Sequence, residues 1–277
     1  MAITAGNSWI QNKRLNPRAG MRLFCFPYAA GSTAIFRTWP RHFPCTIEIC
    51  PVQLPGRGGR FSETPHNRLQ PLVHAATQAL LPYLDKPFSF FGHSMGAIIS
   101  FEVSRLLRRE YGRQPAYIFV SGRRAPQIPC VGPITHNLAT PAFIEELRRL
   151  NGTPGEVIEN PELMKLMLPI IRADFEVCET YDYIPEPPLN CPIAAFGGLQ
   201  DEDVSIGHLE GWRLQTTGPF SLHLFRGDHF YLHRSQSLLI KAISQGLLRC
   251  NKADKPETVA QFGSPHKSVQ ATSTAEA

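Results

Sequence analysis

The sequence predicts an α/β fold, a mainly parallel central sheet flanked by helices and carrying an inserted helical lid. Three observations lead there. Short apolar runs stopped by proline or glycine alternate with longer segments of helical apolar spacing. The run Pro87-Phe88-Ser89-Phe90-Phe91 leads directly into Gly92-His93-Ser94-Met95-Gly96 and then into an amphipathic helical pattern. From about 128 to 190 strand-like runs stop and only helical patterns remain. A chain of 277 residues, 43% hydrophobic and 18% charged, can bury the core of one large domain.

Met21-Arg22-Leu23-Phe24-Cys25-Phe26, stopped by Pro27, reads as the first strand, and Ala29-Ala30-Gly31-Ser32 as a loop of small residues. Ile35 to Phe43 reads as a short helix, Thr46 to Val52 as the second strand, and Leu54 to Arg60 as a glycine-rich loop. A helix over Leu69–Leu84, a strand over Phe88–Phe91, a helix from Met95 to about Tyr111 and a strand over Ala116–Val120 follow. Pro141–Leu150 and Pro161–Tyr181 have helical spacing. The alternation resumes with a strand at Pro192–Phe196, a helix through Gly207 to Leu214, a strand at Phe220–Phe225 and a helix over Gln236–Leu248. The expected organisation is an N-terminal extension over 1–20, one domain over 21–250, a helical lid over about 128–190, and a disordered tail over 251–277 rich in Lys, Ser, Thr and Ala. A lid belongs over the carboxyl edge of the sheet, where such folds bind ligands.

Composition removes several function classes. No stretch approaches the roughly 18 apolar residues of a membrane span, and Met1–Gly20 has no apolar signal region. The seven cysteines are odd in number, irregularly spaced and without a C-x-x-C pair, so they read as small buried hydrophobes in a reducing cytoplasm, with no metal site expected. The net charge of +5 is modest, and no aromatic interleaving points to nucleic acid. Arg105, Arg108, Arg109 and Arg113 share one helix, either as a solvated face or as a dock for an acidic partner.

The pentapeptide around Ser94 carries the chemistry. G-x-S-x-G alone arises by chance in about one chain in ten of this length. Between a strand and a helix it becomes a nucleophile elbow, a sharp turn that projects the serine hydroxyl from the sheet, with glycines where backbone approaches backbone. The serine needs a histidine base and a carboxylate, arriving in the order Ser, Asp or Glu, His. Of the ten histidines, His229 is the candidate, because it lies just past the end of a strand, with His233 second. His93 is expected to project away from the nucleophile. Asp201 and Asp203 follow the Ile193–Phe196 strand, and spacing alone does not separate them; Asp228 reads as a turn residue. In this scheme Ser94 attacks an acyl carbonyl, His229 relays the proton, and the carboxylate orients the imidazole. The backbone N–H groups of Met95 and Ala29 are the expected oxyanion donors.

Five segments together resemble the type II thioesterases that accompany nonribosomal peptide and polyketide synthases. They are Phe26-Pro27-Tyr28-Ala29-Ala30-Gly31-Ser32, Gln53-Leu54-Pro55-Gly56-Arg57, Phe91-Gly92-His93-Ser94-Met95-Gly96, Leu168-Pro169-Ile170-Ile171-Arg172-Ala173-Asp174-Phe175 and Gly227-Asp228-His229-Phe230. The resemblance spans about Arg22 to Leu248. It implies an α/β-hydrolase fold, a stand-alone cytoplasmic monomer, and Ser-His-Asp hydrolysis of aberrant or stalled acyl groups from the 4′-phosphopantetheine thiol of acyl or peptidyl carrier domains, in an editing role in antibiotic biosynthesis. It implies no cofactor beyond that arm, and it places the carboxylate at Asp201. Ala30 stands where the family usually has glycine, and Glu202 where proline often follows the carboxylate.

Leu163, Met164, Leu166, Met167 and Leu168 in the lid read either as an apolar acyl surface or as plain helix packing. The alternatives to the leading function are a medium-chain fatty acyl-carrier thioesterase, a soluble carboxylesterase, or a non-catalytic carrier-binding protein, which would have no need of all three triad residues.

Overall fold

Each apolar run becomes a strand of one sheet. The computed structural model describes residues 8–10, 16–129 and 132–253. Strands β1 (Met21–Phe26), β2 (Ile47–Pro51), β3 (Phe88–His93), β4 (Ile118–Ser121), β5 (Ile193–Gly198) and β6 (Phe220–Phe225) lie in the order β2-β1-β3-β4-β5-β6. Every neighbouring pair is parallel. All carboxyl ends therefore meet along one edge of the sheet.

The helices are α1 (Leu69–Leu80), α2 (Met95–Tyr111), α3 (Thr140–Leu150), α4 (Gly155–Ile158), α5 (Pro161–Glu179), α6 (Ile206–Glu210), α7 (Tyr231–Arg234) and α8 (Gln236–Ala253). Strands β1 to β5 are buried along their whole length, as a sheet covered on both faces requires. Side-chain alternation divides them. Phe24, Phe26, Phe88 and Phe90 pack against α1 and α2, whereas Leu23, Cys25, Phe91, Phe119 and Phe196 pack against Phe36, Trp39 and α8.

Four expectations need correction. Ile35–Phe43 is two 3₁₀ turns, Thr33–Phe36 and Trp39–Arg41, because Pro40 removes a backbone donor within the second. The helix expected through Gly207 to Leu214 is α6 followed by a 3₁₀ turn over Gly211–Gln215. The helix α8 runs on to Ala253, past the expected end at Leu248 and into the expected tail; the rest of that tail, and most of the 1–20 extension, lies outside the described residues. The helix expected over Leu69–Leu84 ends at Leu80 and passes into a 3₁₀ turn over Leu81–Tyr83, while the short helices α4 and α7 have too few residues to show periodicity.

Between β4 and β5 the chain leaves the sheet and forms α3, α4 and α5. These helices have a small core of their own, built on Phe143, Leu147, Ile158, Met164 and Ile171. Asn160 caps α5 by accepting from the N–H groups of Glu162 and Leu163, and Pro161 fills the first helical position. Among the described residues no helix is long and apolar enough to cross a membrane.

Candidate active site

Ser94 sits where β3 turns into α2, with φ 53° and ψ −113°. A positive φ is costly for a residue with a Cβ, and it persists only where the surroundings enforce it. Here they do. A Cβ on Gly92 would lie 2.1 Å from the carbonyl oxygen of Gly96, and one on Gly96 would lie 2.3 Å from that of Phe26. The Ser94 N–H donates to the Ser121 carbonyl at 2.7 Å, tying the turn to β4. The two glycines thus let strand, turn and helix close up, and the serine is lifted out of the sheet.

The base and the carboxylate meet across the next two strands. His229 Nδ1 lies 2.7 Å from Asp201 Oδ2, and the Asp201 side chain is fully buried while that of His229 is 18% exposed. The other oxygen, Asp201 Oδ1, accepts from the N–H groups of Asp203 and Val204, each at 3.0 Å. Such a carboxylate is fixed in direction, and it leaves Nε2 as the remaining nitrogen of the imidazole ring. The approach of the two loops depends on Gly198, where a Cβ would fall 2.3 Å from the Asp228 carbonyl oxygen.

The neighbouring candidates fall elsewhere. Asp203 is exposed and contacts Arg149. Asp228 accepts from the Phe230 N–H at 2.9 Å, the turn role expected of it. His233 Nε2 lies 3.1 Å from the Tyr28 hydroxyl.

His93, expected to project away from the nucleophile, turns toward the loop that follows β6. Its ring is fully buried beneath the base, with centroids 5.2 Å apart from His229, and it packs against Tyr28, Phe230 and Tyr231 as well. His93 Nδ1 lies 2.8 Å from Ser121 Oγ, which lies 2.5 Å from the Tyr231 hydroxyl. Burial, together with the nearby rings of His229 and His233, holds the His93 imidazole well below the ordinary histidine range. The floor under His229 is therefore neutral.

The expected oxyanion donors stand at the same edge. Met95 opens α2, whose first N–H groups have no partner in the helix, and neither its amide nor that of Ala29 has a hydrogen bond among the described residues. The next amide along is occupied: Ala30 N–H donates to Asp174 Oδ2 at 2.7 Å, and Ala30 has φ 63°. Arg57 Nη1 and Nη2 reach the two oxygens of Asp174 at 2.6 and 2.7 Å, an ion pair buried on both sides. Both residues sit in the quoted motifs, yet a separation of 117 positions gives a sequence reader no reason to pair them.

A cavity of about 210 Å³ opens over these groups, lined by Ala29, Ser94 and His229 together with Leu147, Leu150, Phe175 and Phe230. None of Leu163, Met164, Leu166, Met167 or Leu168 lines it: Met164 is buried in the core of the inserted helices, and Leu163 and Leu166 are exposed. The apolar wall comes instead from α3, from the next turns of α5, and from the loop carrying His229. Arg105, Arg108 and Arg109 are not a vacant basic patch. All three reach Glu186, and Arg105 and Arg108 also donate to the carbonyls of Ile184, Pro187 and Pro188. Among the described residues no group of three or more His, Cys, Asp or Glu side chains could hold a metal ion.

An alcohol that shares a cavity with an imidazole whose far nitrogen is held by a buried carboxylate can act as a nucleophile toward an acyl carbon. Comparison with known proteins gives this chemistry a setting. A family model described as the thioesterase domain matches residues 21–246. Gramicidin S biosynthesis protein GrsT of Aneurinibacillus migulanus is 45% identical over 245 residues, 88% of this chain and 96% of its own. Linear gramicidin dehydrogenase LgrE of Brevibacillus parabrevis is 45% identical over 242 residues, 86% of this chain and 92% of its own. Among solved structures, the chain is similar to RedJ, the thioesterase from the prodiginine pathway of Streptomyces coelicolor, at 38% identity and a TM-score of 0.77, covering 82% of this chain and 86% of that one.

Proposed function

The chain belongs to the thioesterase family, and we propose that it is a type II enzyme that clears aberrant or stalled acyl groups from the phosphopantetheine thiol of carrier domains in a nonribosomal peptide or polyketide synthase. The observation that carries the chemistry is the His229–Asp201 contact at 2.7 Å, opening on the same cavity as Ser94. The setting is supported by relatives whose names place them in gramicidin S, linear gramicidin and prodiginine biosynthesis. The name of LgrE refers to a dehydrogenase. The present sequence contains no G-x-G-x-x-G fingerprint, and β1 leads into Pro27-Tyr28-Ala29-Ala30 rather than into a glycine-rich dinucleotide turn.

In the proposed reaction Ser94 Oγ adds to the thioester carbonyl as His229 Nε2 takes its proton. The negative oxygen is received by the N–H groups of Met95 and Ala29, each such donor being worth about 10²-fold or more in rate. Collapse breaks the C–S bond. The proton held by His229 passes to the departing sulfur, help of which a thiol of pKa about 8.5 needs little; the neutral imidazole then draws a proton from the water attacking the acyl-serine and returns it to Ser94 Oγ as the acid leaves. Asp201 holds the imidazole tautomer and stabilises the imidazolium.

The test uses one acyl group presented three ways, on a carrier domain, on coenzyme A and as an aryl ester. Ser94→Ala should lower turnover of all three by about 10³-fold or more. A higher kcat/KM on the carrier than on coenzyme A supports the carrier as substrate; equal values overturn it.

A further inference from the structure

The Ser94–His229–Asp201 chemistry makes no use of Arg57 or Asp174, yet these are among the most completely buried charges in the molecule, 4% and 1% exposed. Burying an ion pair is costly, and its geometry must be good to offset that cost. This one is bidentate, with Nη1 to Oδ2 at 2.6 Å and Nη2 to Oδ1 at 2.7 Å. Arg57 further donates to the carbonyls of Pro55 and Gly31, both at 3.3 Å, and Asp174 Oδ2 accepts the N–H of Ala30 at 2.7 Å. Three chain segments converge on one carboxylate: the loop after β2, helix α5, and the loop after β1.

The third segment is the one with something at stake. Ala30 has φ 63°, a left-handed conformation that an alanine does not hold unaided. Gly31 closes the same turn by donating to the Tyr28 carbonyl at 2.9 Å, and a Cβ at Gly31 would fall 2.9 Å from that oxygen. Within this turn, between Tyr28 and Ala30, lies the amide of Ala29. If Ala30 relaxes, the peptide planes on either side rotate, and the Ala29 N–H turns with them.

We propose that Arg57 and Asp174 are a positioning pair, which holds the strained Ala30 turn so that the Ala29 N–H faces Ser94 only while helix α5 is seated on the sheet domain. The proposal rests on the reading of Ala29 as an oxyanion donor. Its consequence is a coupling. Helix α5 supplies Phe175 and Cys178 to the cavity wall, so the element that contacts the acyl group also sets the backbone that stabilises its transition state. A misplacement of about 1 Å at such a donor costs on the order of 10²-fold in rate.

The experiment compares Asp174→Asn, Arg57→Lys, Ser94→Ala and the double variant Asp174→Asn/Ala30→Gly, with kcat expressed per site titrated by a fluorophosphonate in the variants that keep Ser94 and per mole of chain in Ser94→Ala. Asp174→Asn should lower kcat tenfold to a hundredfold with KM and the pH profile of His229 unmoved, and Arg57→Lys should follow it. Ala30→Gly should restore much of the loss, because glycine adopts the left-handed turn without strain. If both single variants lower only the melting temperature and leave kcat per site unchanged, the pair is a strut and the proposal falls, while an inactive Ser94→Ala leaves the catalytic reading standing. A fully active Ser94→Ala overturns that reading instead. Should Asp174→Asn fail to fold, amide exchange in the wild-type chain decides: Ala30 protected to the same degree as the buried turns of α5 supports the coupling, and Ala30 exchanging as a loose loop overturns it.

Discussion

Two sets of arginines fasten the segment between β4 and β5 to the sheet domain, and they do so on different terms. At the carboxyl edge one arginine, Arg57, meets one carboxylate, Asp174, in a dry bidentate pair that also holds a strained backbone turn. On the flank of α2, Arg105, Arg108 and Arg109 gather around the half-buried Glu186 and the carbonyls of its neighbours, with Arg105 lying 5.3 Å from the ring centroid of Tyr183. Both joints pair guanidinium with carboxylate. The first fixes a direction, because each charge has a single opposite charge and both side chains are closed off from water. The second fixes only a location, since Glu186 is shared among three guanidiniums, and water reaches Glu186, Arg108 and Arg109 although not the buried Arg105. Burial of the joint, more than the chemistry of its members, separates positioning from attachment.

That contrast can be pressed from both sides. At the carboxyl edge, Asp201→Asn removes a charge from a carboxylate whose three contacts set the His229 tautomer, and kcat should fall by about 10³- to 10⁴-fold with little change in melting temperature. A fall of less than tenfold would mean that the direction of this carboxylate is not what matters. Next in size, Arg57→Gln strands Asp174 in the core and should cost about 3 kcal/mol in a denaturant titration, whereas Glu186→Gln should cost about 1 kcal/mol and leave kcat intact. Equal costs would erase the distinction between the joints.

The Glu186 joint should also report on pH. Partial burial would raise its carboxyl, but Arg105, Arg108 and Arg109 outweigh that and hold it below the ordinary range. A lowered folded value gives stability that is present above the unfolded value, about 4.5, and lost as pH falls through the folded one. The gap in unfolding free energy between the wild type and Glu186→Gln should therefore close below about pH 4.5. The smallest effect is expected from Arg109→Glu. Because Arg109 is turned toward Glu186, KM for a carrier substrate should change less than twofold at physiological salt. A tenfold, salt-sensitive rise would return this helix to the role of a dock.

How much of this was legible depended on the range of the interaction. The elbow could be read because strand, turn and helix are contiguous, and its glycines announce an approach so close that a Cβ on either would fall 2.1 to 2.3 Å from a carbonyl oxygen. The position of His229 could be read because a base must follow a strand end. Asp201 and Asp203 could not be separated by spacing, since two residues within one loop differ only in which one the backbone N–H groups fold around. What His93 packs against was hidden for a related reason. It ends β3 on the face shared with Phe91, and the loop after β6, some 135 positions away, comes to rest over that face. The side chains of α5 closest to an apolar stripe turned out to serve its own packing or solvent, while Phe175, one turn on, reaches the cavity. Periodicity shows that a helix has an apolar side. It does not show which turn of that side will overlook the serine.

The contact of Gly96 with the Phe26 carbonyl has a consequence for how this scaffold can change over time. Phe26 leads by three residues to Ala29, and Gly96 follows Met95 directly, so main chain resting on main chain ties together the two segments that carry those amides. Leu147, Leu150, Phe175 and Phe230 take no part in that contact. A lineage that keeps this contact and the Arg57–Asp174 pair can therefore exchange its apolar lining for a new cargo while inheriting the same backbone around the serine.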